Sequence, residues 1–173
     1  MSETEPQGDA ERLGFPDASF DRATATQLLL HLNDPTLAVR EMARVTRPGG
    51  LVAVWEPDWE TLVVDAADRA VTRRIANFFC DSIPHGWIGR TLSRLFGDVG
   101  LTDVQVQPET LVLPGPVFLD GAHGFGRMPE FAERAGAISA VEREVWQADV
   151  ERRSRQGGLF VAFTAFRAVG RRA

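Results

Sequence analysis

Gly8-Asp9-Ala10-Glu11-Arg12-Leu13-Gly14-Phe15-Pro16-Asp17-Ala18-Ser19-Phe20-Asp21 is followed by Leu30-His31-Leu32-Asn33-Asp34-Pro35, then Arg47-Pro48-Gly49-Gly50, then Trp55-Glu56-Pro57-Asp58. Phe20 to Thr26 reads as a short strand that enters a loop at Gln27. Asp34 before Pro35 marks a helix start: the carboxylate caps free amides, and proline in the first turn lacks the amide that would be orphaned. Ala38, Met42 and Val45 then fall at i, i+4 and i+7, a core-facing stripe that leaves Arg40, Glu41 and Arg44 outside it. Arg44 and Arg47 complement the C-terminal end of the helix dipole. Pro48-Gly49-Gly50 stops the helix and turns the chain. Leu51 to Trp55 is a continuous apolar run, as expected of a strand covered on both faces.

Working outward, Asp65 to Cys80 reads as a helix with Ala67, Val71, Ile75, Phe78 and Phe79 on one side. A second helix runs from Ile88 to Val99, and Gly100 is placed to end it. Val104 and Val106 alternate with polar residues in a strand that resumes through Leu111 and Leu113; Pro108 makes it an edge strand. Residues 114–138 are punctuated by Gly and Pro, with a helix from Pro129 to Ala135. Ser139-x-x-Glu142 is a capping box that opens a helix to Arg155, and Gly157-Gly158 breaks it. Leu159 to Val169, apolar on both alternating faces, reads as an interior strand. Alternation of strands and helices points to an open α/β sheet covered by helices.

The 173 residues amount to one domain, and 44% hydrophobic residues suffice for a core. A net charge of −5 argues against a non-specific nucleic-acid binder. All 19 basic residues are Arg, and Tyr is absent, so no tyrosine serves as an acid or base. Cys80 is the only cysteine, which excludes an intramolecular disulfide and fits a small buried hydrophobe. No apolar run approaches a membrane span, and the acidic start Met1-Ser2-Glu3-Thr4-Glu5 is unlike a targeting peptide, so the expectation is a cytoplasmic protein with neither membrane nor nucleic-acid partner.

The run over residues 8–58 resembles the middle of a Rossmann-like S-adenosylmethionine (SAM)-dependent methyltransferase of the ubiquinone/menaquinone-biosynthesis type, methyltransferase type 11. The helix from Ser139 and the closing Gly170-Arg171-Arg172 resemble one bacterial branch of the same family. The resemblance implies SAM as cofactor and methyl transfer to a small, apolar acceptor. It implies an α/β fold that is the C-terminal part of the family sheet, strands 4-5-7-6 with the last antiparallel. Helices lie on both faces, and a helical acceptor-side insertion over 114–156 precedes the last strand.

Site residues follow from the same resemblance. Asp9 and Ala10 would meet adenine, whose donor beside an acceptor matches a carboxylate beside a backbone amide. Thr26 and Gln27 lie at the carboxyl edge of a strand, where open α/β sheets bind ligands, next to the methionine moiety. His31 would accept a proton from an acceptor hydroxyl, and its alternative is a structural histidine among leucines. Glu56 would orient His31 or bind substrate, and its alternative is a strand-end carboxylate in water. Trp55 and Trp59 would wall the acceptor. Alignment of acceptor and sulfonium carries most of such a transfer, so a dedicated base is not obligatory.

The same family carries its glycine-rich cofactor loop upstream of the Gly-Asp-Ala stretch, and only seven residues stand there in this chain. Residues 1–173 are therefore expected to be a single incomplete domain, with 1–7 disordered, Asp9-Ala10 without a strand to hold it, and poor SAM binding on its own. The first strand would be an open edge. Its expected partners are a twin chain, giving a homodimer, or a complementing N-terminal half. The rival reading is a non-catalytic interaction module or one half of a split or swapped methyltransferase. Gly121-Ala122-His123-Gly124-Phe125-Gly126 lacks the spacing of a cofactor loop, and scattered His31, His85 and His123 with one Cys do not predict a metal site. Arg152, Arg153 and Arg155 read as a solvated helix face.

Overall fold

A computed structural model describes residues 8–120 and 125–173. The readings made on residues 1–7 and on Gly121 to Gly124, His123 included, lie outside the described residues. Among the described residues, four strands, β1 (Phe20–Thr26), β2 (Thr46–Val64), β3 (Thr102–Leu113) and β4 (Val161–Arg171), form one sheet in the order β1-β2-β4-β3. Six α-helices accompany them among the described residues: α1 (Pro35–Val45), α2 (Arg69–Asp81), α3 (Leu92–Val99), α4 (Gly115–Leu119), α5 (Met128–Arg134) and α6 (Ala140–Arg155). The residues group into two compact units. Met1–Glu56, Ile88–Gln107 and Phe166–Ala173 form the first, and Pro57–Trp87 with Pro108–Ala165 form the second.

In the first unit β1 runs parallel to β2, with Ala23 opposite Val52 and Thr26 opposite Trp55. The register slips between Phe20, opposite Thr46, and Arg22, opposite Leu51. The slip answers the expected turn at Pro48-Gly49-Gly50. The helix already ends at Val45, and the proline and glycines form a bulge inside β2. Gly49 has φ +76°, and a Cβ on Gly50 would lie 2.6 Å from the Asp21 carbonyl oxygen, so the bulge needs both glycines.

Helix α1 starts where Asp34 and Pro35 place it, the carboxylate accepting from the amides of Thr36 and Leu37 at 2.9 and 3.2 Å. Its Ala38, Val39, Met42 and Val45 are buried, and it packs on β1 and α3. Burial of each large apolar side chain contributes about 1.5–3 kcal/mol. Gly100 ends α3 with φ +87°. The closing arginines have a structural role here. Arg172 donates to the carbonyls of Arg44 and Thr46, and Arg171 to that of Gly49, satisfying acceptors at the α1–β2 junction.

In the second unit Asp68, not Asp65, caps α2, so the helix starts at Arg69. Asp65 instead donates its amide to the Phe160 carbonyl and pairs with Arg153. Arg153 is thereby tied to Asp65 and Asp149, while Arg155 stays at the solvated face. The capping box of α6 forms as expected, Ser139 with Glu142, and Arg74 joins it through Glu142. The guanidinium of Arg74 and the Ser139 amide and hydroxyl hold the Glu142 carboxyl down to about 2. Trp59 sits among Phe79, Phe125 and Phe163, with ring centroids 4.6–5.3 Å away. Cys80 is a buried thiol, outside any disulfide among the described residues. No helix among the described residues is long and apolar enough to cross a membrane.

Candidate functional site

Asp9 and Ala10 begin an irregular stretch that runs to Ser19. Its start is a tight turn: Arg12 donates its amide to the Asp9 carbonyl at 3.0 Å, and Glu11 donates its amide to Asp9 Oδ1 at 2.9 Å. Asp9 is exposed, and its Oδ2 accepts no hydrogen bond from the described residues. The Ala10 amide likewise donates to none of them. Among the described residues, an unfilled acceptor and an unfilled donor thus fall on consecutive residues.

The segment that follows Asp9-Ala10 is held by helix α1. Glu11 Oε1 accepts the Asp34 amide at 2.8 Å, Glu41 Oε2 accepts the Leu13 amide at 2.9 Å, and Arg44 reaches the carbonyls of Leu13 and Phe15, both at 2.9 Å. These partners lie up to 31 positions apart, which is why the reading of Glu41 and Arg44 as an outer helix face missed them. The i, i+3 spacing of an acid and an arginine was the available signal.

A second loop follows β1. Thr26 ends the strand and Gln27, at φ +49°, turns the chain while donating its amide to the Trp55 carbonyl at 3.0 Å. Leu29–His31 then form one turn of 3₁₀ helix. This turn is held from inside. Glu56 is fully buried, and its Oε1 accepts the amides of Leu28 and Leu29 at 2.9 and 2.8 Å. Burial pushes the Glu56 carboxyl above the usual range, and the amides of the Leu28–Leu30 turn pull it partly back. Oε2 has no partner among the described residues.

The structure therefore joins Glu56 to the turn that carries His31, through backbone amides and not through the imidazole. The His31 ring is exposed, and no described side chain bonds to it. Thr26 and Gln27 are exposed beside it in sequence. A cavity of about 240 Å³ lies along β1, lined by Ala10, Leu13, Phe15, Phe20, Ala25 and Leu28 among others, so it links the Asp9-Ala10 turn to the foot of the second loop. Trp55 is half-buried in β2 of the first unit. Trp59 belongs to the second unit and to its aromatic core, where it is 6% exposed.

SAM is a cofactor that these residues fit on one side. Adenine offers an amino donor next to a ring acceptor, the complement of Asp9 Oδ2 and the Ala10 amide. Thr26 and Gln27 are exposed polar residues at the carboxyl end of β1 in the same unit.

Residues 3–54 match the Methyltransf_11 family, described as a methyltransferase domain. SAM is the cofactor of that methyltransferase family. An uncharacterized 37.1 kDa protein of a Streptomyces fradiae transposon is 37% identical over 140 residues, which is 80% of this chain and 41% of that protein. A demethylmenaquinone methyltransferase of Halalkalibacterium halodurans is 35% identical over 116 residues, 58% of this chain and 47% of the enzyme. The chain thus spans less than half the length of these curated relatives. The crystal structure of a candidate methyltransferase from Bacillus halodurans superposes with a TM-score of 0.61 at 14% identity, covering 96% of this chain and 70% of the other. The four-stranded sheet with its helices is a methyltransferase fold.

Proposed function

We propose that this chain carries part of the site of a SAM-dependent methyltransferase whose acceptor is a small, apolar molecule of the quinone type. The observation that supports it most is the turn at Asp9 and Ala10, where, among the described residues, a carboxylate oxygen and the next backbone amide have no hydrogen-bond partner, in the segment that matches the methyltransferase domain. The acceptor class rests on the likeness to a demethylmenaquinone methyltransferase.

In this reading Asp9 accepts from the adenine amino group and the Ala10 amide donates to the ring. Thr26 and Gln27 face the methionine end. When bound, the cofactor supplies an electrophilic methyl group. His31 takes the proton from the acceptor hydroxyl, which its exposure permits. Glu56 holds the turn that presents His31, and Trp55 supplies an apolar surface for the acceptor, whereas Trp59, packed in the aromatic core of the second unit, takes no part. The sheet order β1-β2-β4-β3 corresponds to family strands 4-5-7-6.

The test is transfer of tritiated methyl from SAM to a reduced naphthoquinone. His31→Ala should slow transfer by about 10²-fold or more. Transfer at the wild-type rate by His31→Ala removes the base role. An absence of both transfer and SAM binding overturns the reading.

A second reading is favoured by one observation. Among the described residues, strand β1 has a sheet neighbour on one side only, and Phe15 and Phe20, 41% and 39% exposed, meet edge to face beside it. Such an edge invites strand addition. In that reading a complementing polypeptide pairs with β1, and the chain is half of a split methyltransferase or a non-catalytic module. Light scattering that gives the mass of a lone monomer at every concentration, with no strand-bearing polypeptide captured, contradicts it, and a homodimer would place a second copy at the edge.

A further inference from the structure

We infer that Glu41 and Arg44, which have no role in the transfer, are positioning residues for the adenine side of the site, clamping the loop from Asp9 to Ser19 onto α1. What the loop binds rests on the SAM reading above; the clamp itself rests on its bonds.

Arg44 uses every face of its guanidinium. Nε donates to Glu41 Oε1 at 2.7 Å and Nη2 to Glu41 Oε2 at 2.7 Å, a two-point fork. Nη2 also donates to the Leu13 carbonyl at 2.9 Å, and Nη1 to the Phe15 carbonyl at 2.9 Å and to Asp17 Oδ1 at 2.7 Å. Glu41 completes the circuit by accepting the Leu13 amide, and the Arg44 carbonyl accepts the Ala18 amide at 3.0 Å. Both polar groups of Leu13 are thus satisfied by one ion pair. Upstream, Glu11 bonds the Asp34 amide at the start of α1. The loop has no strand or helix of its own, so these contacts fix its path.

The chemistry demands these residue types. Only a planar guanidinium offers donors to a carboxylate and two carbonyls at once; an ammonium of lysine reaches fewer of them and in no fixed plane. Arg44 holds the Glu41 carboxyl below its usual range, so the pair stays charged. A loop ordered before the ligand arrives does not have to be ordered by it, which raises affinity.

The test compares the ¹⁵N-labelled full chain with its Arg44→Lys and Glu41→Gln variants, reading amide exchange and titrating with S-adenosylhomocysteine. In Arg44→Lys the Leu13 amide should exchange about tenfold faster while the α1 amides of Val39 and Met42 keep their protection. The affinity read at the Ala10 amide should fall about fivefold. Glu41→Gln keeps an acceptor for Leu13 and should fall between wild type and Arg44→Lys. A Leu13 amide that exchanges at the wild-type rate in Arg44→Lys overturns the clamp. A wild-type Ala10 amide unmoved by the ligand overturns the SAM reading instead, so the two failures are told apart.

Discussion

Glu41 and Glu56 each receive a backbone amide from a loop of the candidate site, yet they hold their loops by opposite means. Glu41 stands at the rim of the first unit with a guanidinium against both of its oxygens, and Arg44 holds its carboxyl below the usual range. Glu56 is fully buried, has two amides on one oxygen, no partner on the other among the described residues, and a carboxyl pushed up by burial. The loop at Asp9 is fastened by paired charge, and the turn at His31 by a carboxyl to which burial is hostile. A paired charge at the rim is sensitive to salt and tolerant of water. A buried acceptor is insensitive to salt and intolerant of truncation, because the amides it leaves behind have nowhere to turn.

The largest effect should come from Glu56→Ala. Two amides of the Leu28–Leu29 turn lose their acceptor, at a cost of about 2–4 kcal/mol in urea denaturation. Glu56→Gln keeps an acceptor oxygen and should cost about 1 kcal/mol or less. Equal losses in the two variants would mean that shape, not the amide bonds, matters at this position.

Acidity separates the two carboxylates next. Glu56 is raised from the ordinary 4.5, so the folded state binds its proton more readily than the unfolded one. Its contribution is full below 4.5 and is lost as pH rises through the folded value. Glu41 is lowered from 4.5, so its contribution is present above 4.5 and lost as pH falls through the folded value. Denaturation of wild type and of each Glu→Gln variant across pH should show the two differences moving in opposite directions; movement in the same direction breaks the comparison.

Two smaller effects follow. Ser139→Ala, which opens the capping box of α6, should cost about 1 kcal/mol in thermal or urea denaturation. At 1 M salt, where the screening length is about 3 Å, the Leu13 amide should lose protection in hydrogen exchange while the Leu28 and Leu29 amides keep theirs. Loss at all three would show that Glu56 is reached by solvent ions.

Local signals were legible and long-range ones were not. Asp34-Pro35, Ser139-x-x-Glu142 and Gly100 act within one helical turn, and each ends or starts a helix as the chain reads. Pro48-Gly49-Gly50 reads as a turn because nothing nearby shows that the missing register is absorbed as a bulge against β1. Asp65 reads as a helix residue, but its amide goes to Phe160, far along the chain. The candidate site residues could be named, while the way they are held could not. Leu51 to Trp55 announces a buried strand, yet nothing in it tells that β2 continues to Val64 and carries Glu56, Pro57, Asp58 and Trp59 into the interior. Trp59 is correspondingly a core residue of the second unit.

Adenine is proposed to bind at the turn of Asp9 and Ala10. The direct measurement is a titration of the ¹⁵N-labelled chain with S-adenosylhomocysteine, following the Ala10 amide in wild type and in Asp9→Ala. With adenine at this turn, the Ala10 amide should shift saturably in wild type, and the shift should be lost in Asp9→Ala. An Ala10 amide that stays fixed to the highest ligand concentration, or that shifts equally in both proteins, contradicts it.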